Sequence, residues 1–293
     1  MSADEEAIEP ATAFAALGDP IRVAVLETLA DDRRSDPDEP GLAFSELRKR
    51  VGVRDSGRFR YHLEKLRGPF VEQTDDGSYR LTYAGSEVAT AIVAGTYTER
   101  ATLGPTDLDS DCELCGAGAV GRYDDGVLSV RCANDHRLFV WSLPPNAASG
   151  ATLRELVRTA TLDLYQTVET IRAGTCPDCY ASVETRLEPT DGAGQPYRFR
   201  ARCEACGSTL DVPAGCCLVG HPEVEALYRR HGRSIRDGYW WELEFARADA
   251  PVERVDGDET LRMSVGVGDE TLRATLDDRG RVTATDVESV ERE

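Results

Sequence analysis

Apolar residues up to about residue 95 recur at the 3.6-residue spacing of amphipathic helices. Phe14 and Leu17 precede Gly18-Asp19-Pro20, where Gly18 suits a helix C′ position, Asp19 an N-cap and Pro20 the first helical residue. The helix that starts there has the stripe Ile21, Val25, Leu26 and Leu29, and the acidic run from Asp31 to Pro40 reads as a loop. Two short helices follow, Phe44 to Val51 and Asp55 to Arg67, joined by Gly52-Val53-Arg54 as in a helix-turn-helix. In the second, capped by Asp55, Phe59, Leu63 and Leu66 share one face. Arg54, Gly57, Arg58, Tyr61 and Lys65 share the other, with Arg60 at its edge; His62, beside the apolar face, reads as a packed histidine. Phe70 to Thr74 and Tyr79 to Thr82 flank Asp75-Asp76-Gly77-Ser78, a hairpin signal. The helix from Thr82 to Gly95 is rich in small and apolar residues, which suits either a second copy or closure of its own core.

Farther on, Leu103 to Ser110 reads as a polar, acidic linker. Thr152 and Glu155 form a capping box that opens a helix with the stripe Leu153, Leu156, Val157, Ala160, Leu164, Val168 and Ile171, ended by Gly174. At about 20 residues it is long enough to span a domain or to pair with its twin in a dimer. Trp240 to Phe245 is strand-like. Asp258 to Arg262 and Asp269 to Arg273 form a short repeat that, with Arg281 to Asp286, predicts an antiparallel meander.

A helix-turn-helix followed by a hairpin predicts a winged helix, and the charge supports it. Of the 293 residues, 34 are basic and 53 acidic, a net charge of −19, and only Lys49 and Lys65 among the basic residues are lysines. Such a balance looks like adaptation to molar salt, in which the Debye length is roughly 3 Å and acidic self-repulsion is screened. Leu42 to Arg80 reverses the sign, with nine basic residues against six acidic ones. That reversal is the footprint of a surface that contacts phosphates.

The strings Phe14-Ala15-Ala16-Leu17-Gly18-Asp19-Pro20-Ile21-Arg22, Phe44-Ser45-Glu46-Leu47, Tyr61-His62-Leu63-Glu64-Lys65-Leu66 and Leu81-Thr82-Tyr83-Ala84-Gly85 resemble the ArsR-type winged-helix transcription regulators of halophilic archaea. The resemblance covers about the first 100 residues and implies a homodimer on double-stranded DNA, with the Asp55 to Arg67 helix in the major groove. The DNA-contacting residues expected on it are Arg54, Ser56, Arg58, Arg60, Tyr61 and Lys65, with Arg80 beyond the wing tip. Arsenic-sensing members carry a cysteine motif near the recognition helix; here no cysteine precedes Cys112, which argues against sensing of that kind.

Nine cysteines in a reducing compartment point to metal. Cys112-x2-Cys115 with Cys132-x3-His136 gives four ligands at a zinc-ribbon-like spacing, His221 being an alternative fourth ligand. Cys176-x2-Cys179 with Cys203-x2-Cys206 is a four-cysteine set. Two Zn²⁺ per chain follow, and full sets of four protein ligands leave no position open for catalysis. An iron–sulfur centre or a thiol switch is the competing use of these thiols. Cys216 and Cys217, beside Leu218 and Val219, read as buried small hydrophobes. The run Arg229-Arg230-His231-Gly232-Arg233 with Arg236 suits a second phosphate contact or a helix C-terminus.

The expected fold is therefore α+β: a winged helix-turn-helix over 1–100, a zinc-binding region with two Cys/His modules and a connecting long helix over 101–245, and a β-rich acidic tail over 246–293. Enzyme motifs are absent, as is any apolar run of the ~18 residues a membrane helix needs. The acidic start, MSADEEAIEP, does not read as a secretory signal, so the expected setting is cytoplasmic. The function expected is a sequence-specific transcription regulator whose C-terminal region dimerises, binds an effector or recruits transcription machinery. Two other readings stay open: a basal factor resembling archaeal transcription factor E, which also joins a winged helix to a zinc ribbon, and a protein–protein adaptor.

Overall fold

Asp19 accepts the Ile21 N–H at 2.9 Å and Pro20 occupies the first helical position, so the chain turns into helix where its sequence directs it. The computed structural model describes residues 8–38, 40–190, 195–247, 249–255 and 260–289. These divide into two compact units, residues 1–100 with 144–146, and residues 101–143 with 147–293.

The first unit holds α1 (Pro10–Leu17), α2 (Pro20–Ser35), α3 (Phe44–Val51), α4 (Ser56–Leu66), β1 (Val71–Gln73), β2 (Tyr79–Leu81) and α5 (Tyr83–Val93). Its core joins Val25, Leu26 and Leu29 of α2 to Leu47 of α3, Phe59, Leu63 and Leu66 of α4, and Phe70, Val71 and Tyr79 of the hairpin. The predicted loop from Asp31 begins too early, since α2 continues to Ser35. Asp32 is the reason: it is buried, and its carboxylate accepts the Gly41 N–H at 3.0 Å and pairs with Arg50 at 2.9 Å, which secures that turn of helix. Gly52, at φ +80°, ends α3 in the left-handed conformation, and Arg48 donates to the Val53 and Arg54 carbonyls at 2.8 and 2.7 Å across the turn. Strands β1 and β2 pair antiparallel from Val71–Leu81 to Gln73–Tyr79.

The second unit contains three antiparallel sheets. The first is β3 (Thr102–Asp111), β4 (Gly118–Asp124), β5 (Val127–Cys132) and β6 (Arg137–Ser142), in that order. Helix α6 (Leu153–Arg172) packs on all four strands and carries the predicted capping box. Its stripe from Leu153 to Ile171 is buried within its own chain, so the dimer helix considered from sequence is a core helix. The second sheet is β7 (Glu184–Pro189), β8 (Tyr197–Arg202) and β9 (Thr209–Pro213). After a 3₁₀ turn over Ala214–Leu218 and α7 (Pro222–Arg230), the third sheet follows as β10 (Val252–Arg254), β11 (Leu261–Val267), β12 (Glu270–Leu276) and β13 (Val282–Ser289), the expected meander. Asp258 and Glu259 of the predicted repeat lie outside the described residues.

Three expectations need correction. The linker over Leu103 to Ser110 is strand β3, an edge strand with register shifts that buries only Leu108, which is why its sequence looks unstructured. The strand-like run Trp240 to Phe245 is a 3₁₀ turn over Trp240–Glu242 followed by turns. Trp240 and Trp241 both pack on Phe139, with centroids 5.7 and 6.0 Å away, whereas consecutive strand residues would face opposite sides. The boundary expected between 245 and 246 does not divide the fold, because Phe245, Ala246 and the meander residues Met263, Val265 and Leu272 share one core with α6. Among the described residues no helix is long and apolar enough to cross a membrane.

Candidate metal centres and candidate nucleic-acid interface

The β-hairpins of the first sheet bring Cys112, Cys115, Cys132 and His136 to one end. Cys112 follows β3, and its turn closes with the Gly116 N–H donating to the Cys112 carbonyl at 2.7 Å. Cys132 ends β5, and the Asp135 N–H donates to its carbonyl at 2.9 Å. The second sheet repeats the device: the Tyr180 N–H meets the Cys176 carbonyl at 3.0 Å, and the Gly207 N–H meets the Cys203 carbonyl at 2.9 Å between β8 and β9.

Within each group the four donor atoms lie within 4.8 Å of one another. Bonds of about 2.3 Å to sulfur and 2.0–2.1 Å to nitrogen around a tetrahedral ion imply S···S edges of about 3.8 Å and S···N edges of about 3.6 Å. Cys115 and Cys132 are 3.7 Å apart, and His136 Nδ1 is 3.6 Å from Cys112 and 3.5 Å from Cys132. In the second group Cys176 and Cys206 are 3.7 Å apart and Cys179 and Cys203 3.5 Å. Both groups could therefore hold a four-coordinate metal ion.

The backbone favours the ligating thiolate at two positions. The Ala117 N–H, followed by the Asn134 amide at 3.3 Å, lowers the Cys115 thiol to about 6, and the Cys206 N–H lowers Cys203 to about 7. Asn134 has no signature in the sequence; only the turn before His136 brings it to the sulfur. His221 sits at the N-cap position of α7 without a side-chain capping bond and outside either group, with its pKa lowered by burial and then by Arg172, so His136 is the fourth donor. Cys216 and Cys217 are buried in the 3₁₀ turn, and burial pushes the Cys216 thiol up to about 12.

In the first unit, Asp55 accepts the Arg58 N–H at 2.6 Å and starts α4. One side of α4 is sealed by Phe59, Leu63 and Leu66, while Arg54, Ser56, Arg58, Tyr61 and Lys65 are exposed on and before the helix. Arg54, Arg58 and Lys65 have no acidic partner among the described residues; Lys65 Nζ sits 5.7 Å from the Tyr61 ring centre. Arg60 is exposed but lies over the Phe44 ring at 4.8 Å, and Arg80 pairs with Glu72 at 2.6 Å on the hairpin. His62 is buried, with Nδ1 3.3 Å from Asp19. The second basic run is largely paired: Arg230 and His231 with Glu270 at 2.9 and 3.1 Å, Arg233 with Glu244 at 3.2 Å, Arg236 with Glu225 at 3.7 Å.

A family model described as domain of unknown function DUF7351 matches residues 109–282, more than half of the chain. The chain belongs to the DUF7351 family. The match spans both cysteine groups, so they lie inside the DUF7351 segment. A second model, domain of unknown function DUF7347, matches residues 10–92, from the start of α1 to one residue short of the end of α5. No curated protein and no solved structure matches the chain.

Proposed function

We propose that this protein is a winged helix-turn-helix transcription regulator, homodimeric on double-stranded DNA, with a structural Zn²⁺ in each Cys/His group. The observation that carries the reading is α4: a helix locked to its core by Phe59, Leu63 and Leu66, preceded by a tight glycine turn, and exposing Arg54, Arg58 and Lys65 without an acidic partner among the described residues in a chain of net charge −19. A helix so presented enters a major groove with its N-terminal residues toward base edges, and the β1–β2 hairpin takes the place of the wing. Arg58 and Arg60 read bases, Arg54, Lys65 and Arg80 meet phosphates, and Ser56 and Tyr61 supply hydrogen bonds. The exposed side of α5, with Tyr83 and Val93, is the surface for a second copy. Zinc suits the all-sulfur group and the three-sulfur, one-imidazole group, and the complete ligand sets make its role that of holding the ribbons, not catalysis.

The test is fluorescence anisotropy with duplex carrying the protein's genomic target, in molar potassium chloride. Arg58→Ala with Arg60→Ala is expected to lower affinity at least about tenfold, since a good bidentate base contact is worth about 1–3 kcal/mol, while circular dichroism stays unchanged. Unchanged affinity would refute the assignment of α4 as the reading helix.

A further inference from the structure

Among the described residues, strand β7 is the edge of its sheet and pairs only with β8. On its open side the Val183 N–H donates to the Gly174 carbonyl at 3.1 Å and the Leu187 N–H to the Asp278 carbonyl at 2.7 Å. The two-residue alternation of a strand then turns the Thr185 N–H and C=O into the gap between those two bonds. That gap belongs to a cleft of about 640 Å³, within the roughly 300–1,000 Å³ of small-molecule sites.

The cleft is cationic in an acidic protein. Arg254 of β10 and Arg279 and Arg281 of the turn after β12 line it, none with an acidic partner among the described residues. Of the lining carboxylates, Glu184 pairs with Arg186 at 3.6 Å and Glu188 with Arg200 at 2.9 Å, which leaves Asp278 against three guanidinium groups. The turn that presents two of them is fixed in place. Asp277 accepts the Arg279 and Arg281 N–H groups at 3.0 and 2.8 Å, and Arg172 of α6 donates to the Gly280 carbonyl at 3.0 Å. Gly280, at φ +76°, is pressed so close to the core that a Cβ there would stand 2.8 Å from Cys217 Sγ and the Phe199 ring. Val183, Leu187, Tyr197 and Leu261 give the same cleft an apolar wall.

We propose that this cleft binds a small organic polyanion, a molecule with two or more carboxylate or phosphate groups on a partly apolar frame. Planar guanidinium forks on a rigid turn match such groups bidentately, the Thr185 N–H supplies a neutral donor, and the apolar wall distinguishes an organic anion from a bare inorganic one. The proposal is independent of the DNA-binding reading, because it uses only residues of the second unit.

Isothermal titration calorimetry on the full, metal-loaded chain in molar potassium chloride tests it, with citrate as the carboxylate probe and fructose 1,6-bisphosphate as the phosphate probe. At least one probe is expected to bind one-to-one, and the arm that binds names the anionic group. Arg279→Gln with Arg281→Gln is expected to lower that affinity roughly tenfold or more, given the worth of charge-assisted hydrogen bonds. Arg254→Gln, in β10, is expected to lower it as well, while Arg58→Ala with Arg60→Ala leaves it unchanged. Metal content and circular dichroism establish that each variant is folded. Failure of both probes to bind, or binding insensitive to both cleft variants, overturns the proposal.

Discussion

Cys203 concentrates the chemistry of the second sheet: it is buried, its sulfur lies 3.5 Å from Cys179, and the Cys206 N–H holds its thiol low. Cys203→Ser is expected to reduce metal from two ions to one per chain by elemental analysis, whereas Cys216→Ser, in the apolar 3₁₀ turn, retains both. Glu270 provides a pH test. Its carboxyl lies below the usual range, held there first by Arg230 and also by His231. A carboxylate depressed in the fold stabilises above its unfolded pKa of about 4.3, and that contribution fades as pH falls through the lower folded value. Glu270→Gln should therefore shrink the drop in Tm between pH 6 and pH 3.5; an unchanged drop would show that the pair contributes nothing. At this scale the eight donor residues are legible because paired-ligand spacing is local. Asn134 and the arginines of the cleft are not, because a turn brings Asn134 to its sulfur and separate strands bring the arginines together, and neither follows from a local spacing.

Among the elements, those with a signal at both ends and a period between are read correctly from the chain. Helix α6 has Thr152, Glu155, a continuous apolar stripe and Gly174, and it runs from Leu153 to Arg172. Thr152→Ala, which removes the capping hydroxyl, should cost about 1 kcal/mol in denaturant unfolding. Leu156→Ala, at a fully buried position, should cost about 2–5 kcal/mol. Equal small losses would contradict the placement of the stripe against the core. The elements misread are those whose state is decided by tertiary partners. Asp32 extends α2 by binding Gly41 and Arg50, β3 is a strand because β4 pairs with it, and Trp240-Trp241 turns because Phe139 accepts both rings.

For the whole molecule, the two units differ in what holds them. The first has a hydrophobic core and no cysteine, while the second has two ligand sets built into the ends of its first two sheets. A zinc chelator should thus unfold the second unit and spare the first, seen as loss of the Trp240 and Trp241 fluorescence signature with the helical signal of the first unit retained; simultaneous loss would contradict this division. No periodicity of single segments foretold that the meander joins the core of the cysteine region, since each strand shows only its own alternation. The central proposal is that α4 reads DNA, and its most direct test is a genome-wide map of where the tagged protein sits in its own cell, at its own salt. The account predicts a limited number of sharp peaks that share an inverted repeat and vanish in the Arg58→Ala, Arg60→Ala variant. Occupancy at nearly every active promoter, or no enrichment at all, would contradict it.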